Sequence, residues 1–180
     1  MSVIKKLDGS IIIKDDKKSE RELVKHCLEN GISLNEANLD NLDLSGFNFN
    51  NAFINGASFK NTILSNISSK NASFIECDFT KSDFSFCNLL NTEFEECVLK
   101  ELILRDTIGD MKNIFSVVLD TYVMTFTNEF MNLGCDSKSI DDWRKTTADD
   151  IEDEEQKWLW SYYKELIFEI IDKRLGVKHD

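Results

Sequence analysis

The sequence predicts a β-solenoid, a backbone that turns a corner every five residues and stacks its coils, closed at each end by a small non-repeating unit. Three observations carry that prediction. From Leu39 onward every fifth residue belongs to one series: Leu39, Leu44, Phe49, Ile54, Phe59, Leu64, Ser69, Phe74, Phe79, Phe84, Leu89, Phe94, Leu99 and Leu104. Thirteen of these fourteen are large and apolar. Two residues before each lies a second series, running from Ala37 through Ala52, Thr62, Cys77 and Cys87 to Leu102, of which ten in fourteen are small. Between the two stands a polar residue in ten repeats, among them Asn38, Asp43, Asn48, Asp78, Asp83 and Asn88.

A helix places apolar residues at a period of 3.6 and a half-buried strand at 2, so neither explains a sustained period of five. One large and one small inward side chain per corner does. Four corners make a coil of twenty residues, and coils stack at the interstrand distance of roughly 4.8 Å. Phe59 is then expected to stack on Phe79, and Phe74 on Phe94. Fourteen repeats make three and a half coils.

The segment Ala37-Asn38-Leu39-Asp40-Asn41 resembles the A(D/N)LXX signature of the pentapeptide-repeat family, and Cys77-Asp78-Phe79 and Ser82-Asp83-Phe84 resemble its looser form. The resemblance covers about 70 residues and implies a right-handed quadrilateral β-helix with a dry core. The expected division is an N-terminal hairpin and helix over 1–34, the β-helix over 35–106, and a C-terminal hairpin with two helices over 107–180. Departures from the signature have physical readings. Ser69 is small where Ile67 is large, which conserves volume inside one repeat. Phe47, Leu42 and Leu102 put bulk in the small position near the coil's ends. Phe53, Ile63, Val98 and Ile103 put apolar groups in the polar slot, facing either the flanking segments or a partner.

A solenoid end exposes a strand edge and an open core, and both need cover. Val3–Lys6 and Ile11–Lys14 flank Asp8-Gly9, a hairpin signal. Ser19 with Glu22 is a capping box that opens a helix to about Asn30, which Gly31 stops. This lead-in also resembles phage- and prophage-borne members of the family. Downstream, Thr121–Thr127 and Phe130–Cys135 predict two strands around Asn128-Glu129. Ser139 predicts a cap for a short helix, and Thr147, with Asp150, a cap for a long helix reaching about Arg174. Trp158, Leu159, Tyr162, Leu166 and Ile170 recur along that helix near helical spacing. Two readings are open for them: packing on the hairpin and end coil, or a seam with a second copy in a homodimer, as the family resemblance implies.

The charge of −12 is distributed as 0, −5 and −7 over residues 1–36, 37–104 and 105–180. Such a surface repels nucleic acid and anionic membranes, so direct binding to either is not expected. No apolar run reaches the length of a transmembrane helix. No basic-apolar-small leader opens the chain, and the five cysteines, Cys27, Cys77, Cys87, Cys97 and Cys135, are an odd number. Both point to reduced thiols in a cytoplasm, that of a bacterial host if the chain is phage-encoded. Catalytic machinery is not in evidence. His26 and His179 neighbour no nucleophile motif, and neither a P-loop, a GxGxxG nor a CxxC occurs. No catalytic residue, metal ligand or cofactor is expected.

The candidate site is therefore a binding surface. Glu76, Asp78, Asp83, Glu93, Glu95 and Glu96 give the second half of the coil an acidic skin. Asp149, Asp150, Glu152, Asp153, Glu154 and Glu155 form a second acidic run, either complementing a helix dipole or offering a patch to a basic partner. Some pentapeptide-repeat proteins use such skins to imitate B-DNA. The resemblance thus implies a non-catalytic protein that inhibits or shields a host DNA-handling protein, such as a topoisomerase, a nuclease or a restriction or defence component. The alternative is an oligomeric structural or adaptor module that binds through its C-terminal apolar helix.

Overall fold

The computed structural model describes residues 1–119, 122–134 and 136–176, with the side chains of 118, 119 and 122 left aside. The expected stacking is present. Backbone pairing steps by twenty residues along four parallel ladders. Three consist of single bridges, through 38–58–78–98, 43–63–83–103 and 48–68–88–108. Only the fourth is long enough for regular strands: β4 (Phe53–Asn55), β5 (Ser73–Ile75) and β6 (Glu93–Glu95) pair in parallel. The result is a β-solenoid in which regular strand is the exception.

Its interior follows the five-residue pattern closely. Leu39, Leu44, Phe59, Phe79, Phe84, Leu89 and Leu104 have no exposed surface, and Ser69 and Ile67 are both buried. Phe59 and Phe79 stack with centroids 4.8 Å apart, and Phe74 and Phe94 at 5.5 Å. Phe49, Phe59, Phe74, Phe79, Phe84 and Phe94 continue edge-on or tilted through the core. Aromatic pairs in these geometries add favourable quadrupole contact to the buried area.

Each corner is set by one residue. From Glu36 to Met111 every fifth residue has a positive φ, between 50° and 70°. Asparagine holds six of these corners (Asn41, Asn51, Asn61, Asn66, Asn71 and Asn91), and glycine holds Gly46 and Gly56. Those two residue types enter the left-handed region at least cost, which accounts for the abundance of asparagine in the repeat.

The first coil is covered as its edge requires. β1 (Ser2–Lys6) and β2 (Ile11–Asp15) form the expected hairpin, and β1 pairs antiparallel with β3 (Ala37–Asn38) at the coil's edge. α1 (Glu20–Asn30) carries the Ser19–Glu22 capping box and ends on Gly31 at φ 66°. Leu23, Val24 and Cys27 of α1 enter the same apolar cluster as the coil residues, so this cap and the solenoid share one core.

The C-terminal unit departs from expectation in two ways. It holds a four-stranded antiparallel sheet in the order β10-β9-β8-β7, not a lone hairpin: β7 (Phe115–Leu119), β8 (Tyr122–Phe126), β9 (Phe130–Leu133) and β10 (Asp136–Ser139). The hairpin β8–β9 lies where it was expected, with Thr121 and Cys135 outside the described residues. β10 is a polar edge strand, Asp-Ser-Lys-Ser, with no apolar periodicity, and pairing with β9 alone makes it a strand.

The second departure concerns the long helix. Thr147 caps only a 3-10 turn, Ala148–Asp150. Buried Ile151 then pulls the chain into extended geometry, and Asp153 caps the true helix α3, Glu154–Leu175. The short helix α2 (Ile140–Lys145) starts on Ser139 as expected. Around α2 and α3 lies a separate core that includes Trp143, Leu159, Trp160, Ile167 and Ile171.

Candidate functional site

The six acids expected on the coil do not form one surface. Asp78 and Asp83 are half-buried and occupied by local structure. The Asp78 carboxylate accepts from the Thr80 amide and hydroxyl at 2.9 and 2.6 Å and pairs with Lys60 at 3.0 Å. Burial pushes its pKa up, but the Thr80 donors and the Lys60 ammonium outweigh burial and hold it below the usual carboxylate value. Asp83 accepts from the Ser85 amide at 2.8 Å, a turn-forming role.

Glu76, Glu93, Glu95 and Glu96 are all exposed, and none has an ion pair among the described residues. Glu93 and Glu95 flank buried Phe94 on β6 and so project from one face by strand alternation. Glu76 and Glu96 are the corners that follow β5 and β6, at φ 53° and 52°, stacked one coil apart. The ladder segments 53–55, 73–75 and 93–95 contain no basic residue. The acidic skin thus contracts to one face and its corner. Of the four coil lysines, Lys60 pairs with Asp78 and Lys81 with Glu101 at 3.4 Å, while Lys70 and Lys100 form no ion pair among the described residues.

The second acidic run is largely explained by helix ends. The Asp150 carboxylate accepts from the Thr147 amide and hydroxyl at 2.7 Å, and both contacts lower its pKa. Asp153 accepts from the Gln156 amide at 2.8 Å, while Glu154 and Glu155 sit in the first turn of α3. Asp149 pairs with Lys157 at 3.3 Å. Glu152 is exposed in the extended link between the two caps.

The apolar set on α3 splits by burial. Leu159 is 1 % exposed inside the C-terminal core and cannot join a seam, and Ile170 packs partly against that core. Trp158, Tyr162 and Leu166 remain outside at 55, 73 and 44 % exposure, one turn apart on a single stripe. The Trp158 and Tyr162 rings stack at 5.7 Å. Of the apolar residues in the polar slot, Phe53, Ile63, Val98 and Ile103 all face outward.

Pattern reading missed one set of residues altogether. Hydroxyls and thiols in the small position donate to the carbonyl twenty-three residues earlier: Thr62 to Leu39 at 2.8 Å, Cys87 to Leu64 at 3.2 Å, Thr92 to Ser69 at 3.0 Å and Thr107 to Phe84 at 2.8 Å. The signal was present in the preference for Ser, Thr and Cys over Ala there. Burial raises the Cys87 thiol to about 11, as expected of a structural cysteine. Cys77 and Cys97 donate likewise, to Ile54 and Phe74.

His26 lies on α1 against Asn30 at 3.1 Å, and His179 falls outside the described residues. Among the described residues no cluster of His, Cys, Asp and Glu is arranged to hold a metal ion, and no helix is long and apolar enough to cross a membrane. A family model described as pentapeptide repeats matches the chain in eight copies, over residues 30–66, 70–100 and 77–108. No curated protein matches it.

Proposed function

From the premise that the solenoid within residues 30–108 is built of pentapeptide repeats, a unit of structural and binding proteins, we propose that this chain is an acidic binding protein that occupies the basic DNA groove of a DNA-handling protein. The observation that carries this reading is the exposed, unneutralised quartet Glu76, Glu93, Glu95 and Glu96 on one face of the coil. We take the coil to be right-handed and four-sided, about three and a half coils long, which makes a rod of about 17 Å at the β spacing. Carboxylates at the coil spacing along such a rod compete for lysines and arginines that otherwise meet phosphates. Partners of this kind are topoisomerases, nucleases and restriction or defence proteins of a bacterial cytoplasm, with a phage as a fitting carrier of the inhibitor.

The test is displacement of a fluorescent duplex from a panel comprising a type II topoisomerase, a nuclease and a restriction enzyme. Displacement is expected, weakening steeply between about 50 and 300 mM salt and abolished by Glu76, Glu93, Glu95 and Glu96→Lys together. Displacement that survives the quadruple reversal, or none from any member of the panel, sinks the proposal.

A second reading rests on the exposed stripe Trp158, Tyr162 and Leu166. It makes the chain a homodimeric adaptor and would also lengthen the acidic rod. Sedimentation of Trp158→Gln/Tyr162→Gln/Leu166→Gln against the parent decides it. A dimer split by the variant supports the seam, and a monomer in both removes it.

A further inference from the structure

The last coil is sealed unevenly. At three backbone groups of its edge, side chains from the C-terminal unit replace the missing next coil. Asn113 Nδ2 donates to the Phe94 carbonyl at 2.9 Å, Asn132 Oδ1 accepts from the Leu104 amide at 3.3 Å, and Ser116 and Thr125 hydroxyls donate to the Thr107 carbonyl at 3.0 and 2.9 Å. The stretch 96–101 receives no such cover. Among the described residues, no hydrogen bond reaches the amides of Glu96, Leu99 and Glu101 or the carbonyl of Cys97.

The lower coils show what these groups are built to bind. One level down, the Glu76 amide donates to Glu95, the Phe79 amide to Val98 and the Lys81 amide to Lys100, while the Cys77 carbonyl accepts from the Val98 amide. A peptide residue x placed as Val98 is placed there would fill the Leu99 amide and the Cys97 carbonyl. Residues x−3 and x+2 would answer Glu96 and Glu101. The unfilled rung opens on a cavity of about 560 Å³ between the coil end and the C-terminal unit, lined in part by Cys97, Leu99, Lys100, Lys112, Glu129 and Arg174. That volume suits a short peptide segment. Lys100, Lys112 and Arg174 form no ion pair among the described residues, in a chain of net charge −12. Arg174 is held in place over the Phe115 ring at 4.5 Å, with its guanidinium donating to the Met111 carbonyl.

We infer that this edge binds an extended acidic peptide segment, which adds one parallel rung to the solenoid across Glu96–Glu101 and meets Lys100, Lys112 and Arg174 with its carboxylates. Main-chain hydrogen bonds supply the docking and the three cations select the charge, as in strand addition to an open sheet edge. The inference does not rest on the acidic face of the coil.

The test is amide hydrogen exchange read by NMR. In the free protein the Leu99 and Glu101 amides are expected to exchange more than about a hundredfold faster than those of Phe79 and Lys81. A pool of acetylated hexapeptides alternating Glu or Asp with Val, Ile or Thr, at about 1 mM, is expected to slow exchange at Leu99 and Glu101. The Lys100→Glu/Lys112→Glu variant alters two exposed side chains that form no ion pair among the described residues, and it should weaken this effect by about tenfold. N-methylation throughout the peptides should abolish it. The proposal is overturned if the Leu99 amide of the free protein is as protected as that of Phe79, or if the acidic pool changes nothing. It is equally overturned if a Lys-containing pool acts as well, or if protection rises with protein concentration alone, which would give the edge to a second copy.

Discussion

At the scale of single residues, the solenoid depends on two devices that serve the backbone rather than the core. The first is the hydroxyl or thiol in the small position. Thr62 is fully buried, and its hydroxyl donates to the Leu39 carbonyl, which has no other donor among the described residues. Thr62→Val keeps shape and volume but leaves a buried acceptor unpaired, so it should destabilise by about 1–2 kcal/mol in urea unfolding. The second device is the left-handed corner. Asparagine and glycine suit it, yet Glu76 and Glu96 occupy it. Glu76→Asn and Glu96→Asn should each stabilise by about 0.5–1 kcal/mol, because a residue with local hydrogen-bonding capacity tolerates φ > 0 better. If the acidic face binds its partner as proposed, the same changes weaken binding. A gain in stability with a loss of affinity would mark these glutamates as retained for recognition.

At the scale of elements, the two ends of the coil differ in how they are closed. The N-terminal end is sealed by main-chain pairing of β1 with β3, reinforced by α1, whose Arg21 reaches Asp43 and the Ser45 carbonyl. The C-terminal end is covered only in part, by side chains of Asn113 and of a sheet that runs antiparallel and cannot extend the ladders. The turn into that sheet is tight: a Cβ on Gly109 would sit 2.0 Å from the Ile114 carbonyl oxygen. Gly109→Ala must therefore displace backbone, and a loss of several kcal/mol is expected, well above the roughly 1 kcal/mol of an exposed-helix substitution. Comparison of its unfolding midpoint with that of Ser19→Ala, which removes only a cap, checks the difference.

At the scale of the whole molecule, an excess of carboxylates shapes the pH response. Asp8, Glu22, Asp43, Asp78, Asp142 and Asp150 all have pKa values lowered in the folded state by hydrogen bonds or cations. A carboxylate whose folded pKa is depressed contributes stability above its unfolded value, and that contribution is lost as pH falls through the folded value. The protein should thus keep its full contribution from these groups at neutral pH and lose it progressively below about pH 4. Thermal unfolding followed from pH 7 to pH 3 tests the direction. A melting temperature that rises on acidification would show that relief of the net negative charge outweighs these local bonds.

The five-residue period, the Phe59–Phe79 and Phe74–Phe94 stacks, the Ser19 and Ser139 caps and the Gly31 stop were all legible in the sequence. Each depends on residues near one another in the chain, or on a repeat so regular that a step of twenty follows from it. Sequence could not say that Asp78 and Asp83 would be taken up by turns while Glu76, Glu93, Glu95 and Glu96 gather on one face. It also could not separate buried Leu159 from exposed Trp158 and Tyr162, or foresee β10, whose residues carry no strand pattern of their own. Tertiary structure alone decided these, and also where the last coil stays open. The physical reason is that each depends on partners brought from another coil or from the C-terminal sheet. A charge becomes surface or structure according to the donors it meets there.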